Sequence, residues 1–185
     1  SNSVSPTIAG SFFAKSLVAV LITAVLVVIY VGLRFRKIGG VSAAITALCA
    51  LLFDVLVTFF VCVIFRFQID ANYIAVVLTI FGYSLNDTIV TYDRIRENEK
   101  FNPDMEIGQL VNMSVNKVMI RNIITTVTTI LAVVTIIAVA EIYGLTSLRT
   151  FAIPMAFGLL SGTVSSLFIA SPLWVVWKRH KQKSK

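Results

Sequence analysis

Apolar runs of membrane length alternate along this chain with short polar breaks. Five runs are long enough to cross a bilayer at roughly 20 residues each, at about 12–33, 40–65, 72–92, 122–140 and 150–177. The breaks read RFRKIGG (34–40), RFQID (66–70), DRIRENEKFNPDMEIGQLVNMSVNKVMIR (93–121) and EIYGLTSLR (141–149), and the chain closes on KRHKQKSK. This pattern predicts an all-α integral membrane protein. Residues 1–177 form a membrane domain of five transmembrane helices, and 178–185 form a basic cytoplasmic tail. The first run is too long for a signal peptide and lacks a cleavage motif.

The long third break has a pattern of its own. Asn102, Pro103 and Asp104 read as an N-cap, a proline at the first helical position and an acid in the first turn. Ile107, Leu110, Val111, Val115 and Val118 then recur at helical spacing. A short amphipathic cytoplasmic helix is expected there, leading into the fourth span; an ordinary soluble linker helix fits the same pattern.

Composition agrees with a lipid-solvated chain. The 185 residues are 57% hydrophobic and 14% charged, where a soluble domain carries about a quarter charged residues. The net charge of +7 could signal nucleic acid, but its placement argues for topology. With the N-terminus outside, thirteen Lys and Arg fall on inner segments, and only Lys15, Arg66 and Arg149 on outer ones. That bias puts the C-terminus in the cytoplasm and accounts for the charge without nucleic acid. Cys49 and Cys62 lie on one predicted helix, about 20 Å apart, too far to bridge.

Helices in lipid associate through close packing and hydrogen bonds. Gly158, Gly162, Ser166 and Ala170 make a ladder of small residues at four-residue spacing in the last span. Thr125, Thr128 and Thr129 share a face of the fourth span, free to bond their own helix or a neighbour. Pro154 predicts a kink in the fifth span.

Two carboxylates stand inside the apolar runs, Asp54 in the second and Asp87 in the third. By helical rise they lie about 16 and 21 Å from the outer ends of their helices, so both fall near the midplane. An ionised Asp there costs about 3 kcal/mol, and such residues face a bundle interior or a wet cavity. A carboxyl taken out of water favours its protonated form, which suits a group that takes up and releases a proton. Asp87 and Arg94 are two turns apart on one face, and Asn86 and Val90 approach Arg94 in steps of four. This stripe predicts an ion relay of Asp54, Asn86, Asp87 and Arg94. Asp54, the most isolated charge, is expected to be its stronger member. The other reading is a hydrogen-bond network that only fixes packing. The sequence offers no metal cluster, phosphate loop or nucleophile triad, so no catalytic residue, metal or cofactor is expected and the chain is not read as an enzyme.

GYSLNDTIVTYDRIREN (82–98) closely resembles the signature of the SecF family of protein-export membrane proteins. The resemblance extends through Ser5-Pro6 to Gly10, IYVGLRFR (29–36), Asp54-Val55, LVNMSVNKVMIRNIITTVTT (110–129) and GLLSGTVSSLFIASPL (158–173). One departure is Phe53, where many members have His. The family's first span and large extracytoplasmic domain are expected to be absent. The chain then looks like the membrane portion of a SecF, or of the SecF half of a fused SecDF. The resemblance implies half of a pseudo-symmetric membrane domain of the resistance-nodulation-division type, in a bacterial or archaeal cell membrane. It implies SecD, the SecYEG translocon, the translocating polypeptide and the lipid bilayer as partners, and proton flow coupled to late translocation. The alternative it leaves open is a scaffold that stabilises SecD and the translocon without conducting ions.

Overall fold

In the computed structural model, described for residues 6–183, the chain is all helical. The helices are α1 (Pro6–Arg34), α2 (Gly40–Phe65), α3 (Ala71–Phe101), α4 (Ile107–Ile142), α5 (Thr146–Ser165) and α6 (Ser171–Lys183). A short 3-10 turn spans Arg36–Ile38, and one wide π turn, Ser166–Ala170, joins α5 to α6. Five helical stretches are long and apolar enough to cross a membrane, the last formed by α5, the π turn and α6 together. The chain is a multi-pass membrane protein. Ser5, named in the resemblance above, and Ser184 and Lys185 of the tail lie outside the described residues.

The small-residue ladder places α5 at the centre, packed against α2, α3 and α4. A Cβ built on Gly158 would fall 2.0 Å from Ile80 Cδ1 and 2.8 Å from Thr58 Oγ1. One on Gly162 would lie 3.0 Å from Ser84 Cβ. The partners on α3 step by four as well. Ile80 meets Gly158, Ser84 meets Gly162, Thr88 bonds Ser166, and the Tyr92 hydroxyl donates to the Ala170 carbonyl. Helices α3 and α5 therefore run parallel, with matched rows of side chains interleaved. The peripheral α1 turns most of its apolar side chains, Leu21 and Leu26 among them, outward. It closes on α2 through Gly39, at φ +101°, and Gly40, where a Cβ would stand 2.1 Å from the Gly32 carbonyl oxygen.

The connection between α3 and α4 corrects two expectations. First, α3 continues past the predicted limit near residue 92 to Phe101. DRIRENEK is charged but rich in good helix formers, and Arg94–Glu97 and Arg96–Asp93 pair one turn apart. Second, Asn102 caps the end of α3 and starts no helix: its N–H donates to the Asn98 carbonyl. The following helix begins at Ile107, with Glu106 at the N-cap and no side-chain cap bond. No separate amphipathic helix forms. Its residues are the first turns of the 36-residue α4, and Leu110, Val111, Val115 and Val118 are buried against the bundle. Asn98 ties them down, donating to Ser114 Oγ (2.7 Å) and accepting from Lys117 Nζ (3.2 Å).

The wide turn has a local cause. Pro172 cannot donate a backbone hydrogen bond, and in a regular helix its ring would clash with the Phe168 carbonyl. The turn widens just before it, a known response to a break in the helical ladder.

Candidate functional site

Where α2, α3 and α5 meet, the chain buries a carboxylate completely. Asp54 is 0% exposed. Its oxygens accept from Ser84 Oγ (2.7 Å), Ser161 Oγ (2.6 Å) and Ser165 Oγ (2.9 Å). Ser84 comes from α3, and Ser161 and Ser165 lie one turn apart on α5, so one carboxyl group ties three helices. The network continues inward. The Ser84 carbonyl accepts from both Thr88 Oγ1 and Ser166 Oγ. A turn further on, the Tyr92 hydroxyl meets Thr46 Oγ1 at 2.7 Å.

Asp87 sits one helical step from Thr88, on a different face of α3. It is 2% exposed, and its Oδ2 is buried with no hydrogen-bond partner. Its neighbour helix is α4. Tyr83 on α3 donates to Thr126 Oγ1 on α4 at 3.1 Å, and Thr126 in turn meets Thr163 Oγ1 of α5 at 2.5 Å. Towards the C-terminal end of α3 from Asp87, between α3 and α4, lies a cavity of about 360 Å³ lined by Val90, Asp93, Arg94, Glu97, Lys117, Val118 and Arg121. The charge of Arg121 bears on Asp87, and Arg121 pairs with no carboxylate among the described residues.

The predicted relay is thus only partly assembled. Asp54 and Asp87 are both interior, but Asp54 belongs to the α2–α3–α5 junction and Asp87 faces α4. Arg94, expected to serve Asp87, pairs with Glu97 Oε2 at 2.6 Å. A flexible side chain finds the carboxylate one turn away before one two turns away. Asn86 is exposed on the outer face of α3. Thr125, Thr128 and Thr129 bond carbonyls of their own helix, at Arg121, Ile124 and Thr125. The threonine that crosses to α5 is Thr126. Gly158, Gly162 and Ser166 all face the interior.

Sequence reasoning missed Ser84, Ser161, Ser165, Asn122 and Arg121. Ser161 and Ser165 carried a weak signal, since two hydroxyls one turn apart beside a glycine row can face a buried acid. Among the described residues no group of His, Cys, Asp and Glu could hold a metal ion.

The family model described as "Protein export membrane protein SecD/SecF, C-terminal" matches residues 1–180. The chain belongs to the SecD/SecF family. It is 42% identical to the protein translocase subunit SecF of Sebaldella termitidis, over 96% of this chain and 56% of that protein. It is 40% identical to the protein translocase subunit SecDF of Bacillus subtilis, over 98% of this chain and 24% of that one. A crystal structure of SecDF in a super-membrane-facing form matches with a TM-score of 0.82 at 32% identity, covering 91% of this chain and 22% of that one. The chain spans little more than half the length of the SecF relatives it matches, and about a quarter of the SecDF proteins.

Proposed function

We propose that this SecF-type membrane domain couples ion flow, most simply of protons, to the late steps of polypeptide export. Asp87 carries the ion. The observation behind this reading is the contrast between the two buried acids. Asp54 has three hydroxyl donors and a defined structural task. Asp87 has a buried oxygen with no partner, and inward of it a charged cavity between α3 and α4. A group that binds and releases an ion needs a free lone pair and a route to water. The order expected from isolation along the sequence is reversed: Asp87 is the carrier, and Asp54 fits the scaffold reading.

The exposed Asn86 fits a second membrane half against that face of α3, as a pseudo-symmetric transporter would supply. SecD, the translocon and the emerging polypeptide are the proposed partners. On this reading the N-terminus of the chain faces outside the cell membrane and the C-terminus the cytoplasm, as the bias of Lys and Arg supports. The work is transport, not bond chemistry. One charge falling through about 150 mV releases roughly 3.5 kcal/mol, enough to bias two conformations that differ by a few kcal/mol.

The test is ion flux and gradient-driven export by the full complex in proteoliposomes, with complex abundance measured in parallel. Asp87→Asn keeps the shape and removes the titrating group. Flux should fall to background with normal abundance, while translocation driven by the partner motor continues. Full gradient-driven activity in Asp87→Asn would remove the ion-carrier role.

A further inference from the structure

A second buried side-chain polar atom without a partner, Asn122 Nδ2, lies on α4, which packs beside α3. The Tyr83–Thr126 hydrogen bond fixes the register of the antiparallel pair α3 and α4. One turn inward from Tyr83 is Asp87, and one turn inward from Thr126 is Asn122. Residues four apart share a helix face, so the two side chains are level across the same seam. The Asn98–Ser114 bond holds that seam closed further in. Asn122 is 1% exposed, and its Nδ2 is buried with no hydrogen-bond partner. Its backbone carbonyl is occupied by Thr126 Oγ1 at 2.8 Å.

The two orphaned atoms are complementary. Asp87 Oδ2 is an acceptor when ionised, and Asn122 Nδ2 can only donate. Each costs free energy while buried and unpaired, roughly 1–3 kcal/mol for a neutral group and more for a charge. Most other polar groups near this seam have work elsewhere. Arg94 is paired with Glu97, Lys117 donates to Asn98, and Thr126 is shared with Tyr83 and Thr163. Arg121 lines the cavity, pairs with no carboxylate among the described residues, and adds its positive charge to the surroundings of Asp87. Asp54, the other interior acid, is held by its three serines.

We infer that Asn122 is a positioning residue for Asp87: its side-chain amide donates to the Asp87 carboxylate when the ion has left, and holds it less tightly when the ion is bound. Protonation puts a hydrogen on the carboxyl and removes its charge, so the amide N–H loses a charge-assisted bond and the pair weakens. Ionised, the carboxylate presents a lone pair and closes it. The spacing of α3 and α4 then follows the charge of Asp87. The inference rests on Asp87 being the ion carrier, and two separable readouts test it.

The first is independent of transport. Difference infrared spectra of the purified full complex between acid and alkaline pH report the Asp87 carboxylate, assigned through Asp87→Asn. In the wild type the Asn122 side-chain amide band should change together with it. In Asn122→Leu the Asp87 carboxylate band should shift; Asn122→Ala serves if the leucine variant does not assemble. An unmoved Asp87 band, or an Asn122 band indifferent to pH, overturns the pairing. The second readout is flux. Loss of a hydrogen bond to a charged group predicts a fall of about tenfold or more in Asn122→Leu at normal abundance. The exchange variant Asp87→Asn/Asn122→Asp restores a donor facing an acceptor across the seam, and should conduct several-fold better than Asp87→Asn alone. No gain would overturn the role in transport. Flux surviving in Asp87→Asn would defeat the ion-carrier reading, while the infrared result would still decide the pair.

Discussion

The two interior acids of this bundle differ in almost everything except depth. Asp54 is held by Ser84, Ser161 and Ser165, from two neighbouring helices, at distances of 2.6–2.9 Å. Asp87 leaves a buried oxygen empty-handed beside a charged cavity. A buried charge with its hydrogen bonds made is a staple, and removing it strands its partners. A buried charge with bonds unmade is costly for the fold, which suggests selection for something else. Burial alone therefore does not identify a functional acid; the count of its donors separates the two cases.

Several substitutions would break or sharpen this contrast. The largest effect is expected where both regions depend on one contact. Gly158→Leu would drive a side chain into Ile80 and Thr58 and part α5 from both α2 and α3. Assembled complex should nearly vanish from membranes by immunoblot; normal amounts would show that the crossing can open. Next comes the contrast itself. Asp54→Ala removes the acceptor of three buried hydroxyls, of which Ser165 keeps the Gly162 carbonyl, and should cost roughly 3 kcal/mol in thermal or denaturant unfolding of the purified complex. Asp87→Ala should cost less than about 1 kcal/mol, since one of its oxygens has no partner to lose. Equal losses would erase the distinction. Ser165→Ala, which leaves Ser161 and Ser84 on the carboxylate, should cost about 1 kcal/mol by the same measurement. A loss as large as that of Asp54→Ala would make Ser165 the dominant donor. The smallest effect belongs to Arg94→Gln. Its partner is exposed Glu97, and surface pairs are worth about 0–1 kcal/mol. Flux should stay within about twofold of wild type, a change too small to matter for stability by the same rule. Abolished flux would return Arg94 to the relay.

What the sequence made legible follows the same physics. Apolar runs have one explanation at this length, so five helices could be read directly, as could the presence of two acids that lipid would exclude. The connection between α3 and α4 was harder. DRIRENEK looks like a loop by charge, but its pairs at three-residue spacing keep it helical. Asn102 and Pro103 look like a helix start, yet the Asn102 N–H ends the previous helix. The donor set of Asp54 was hidden because serine is ordinary in a membrane helix. Its meaning depends on which α2 residue faces it, and that pairing is tertiary. Spacing placed Arg94 on the face of Asp87 correctly as geometry, but spacing cannot tell which of two carboxylates a long side chain will choose.

The wide turn at Ser166–Ala170 can be restated as a matter of phase. Each residue of a regular helix turns about 100°, so a step of four overshoots by about 40° and a row at that spacing winds slowly around the axis. On α3, sixteen residues past Ile80 stands Arg96, which has rotated out to become half-buried. Sixteen residues past Gly158 of α5, beyond the wide turn and on α6, stands Trp174, which is 0% exposed. The extra residue taken up in the π turn sets the row back by about one residue's rotation. It brings the accumulated angle at Trp174 from about 160° to about 60°. The wide turn thus acts as a phase correction. It keeps a row that begins at Gly158 facing the bundle interior until it finishes on a tryptophan.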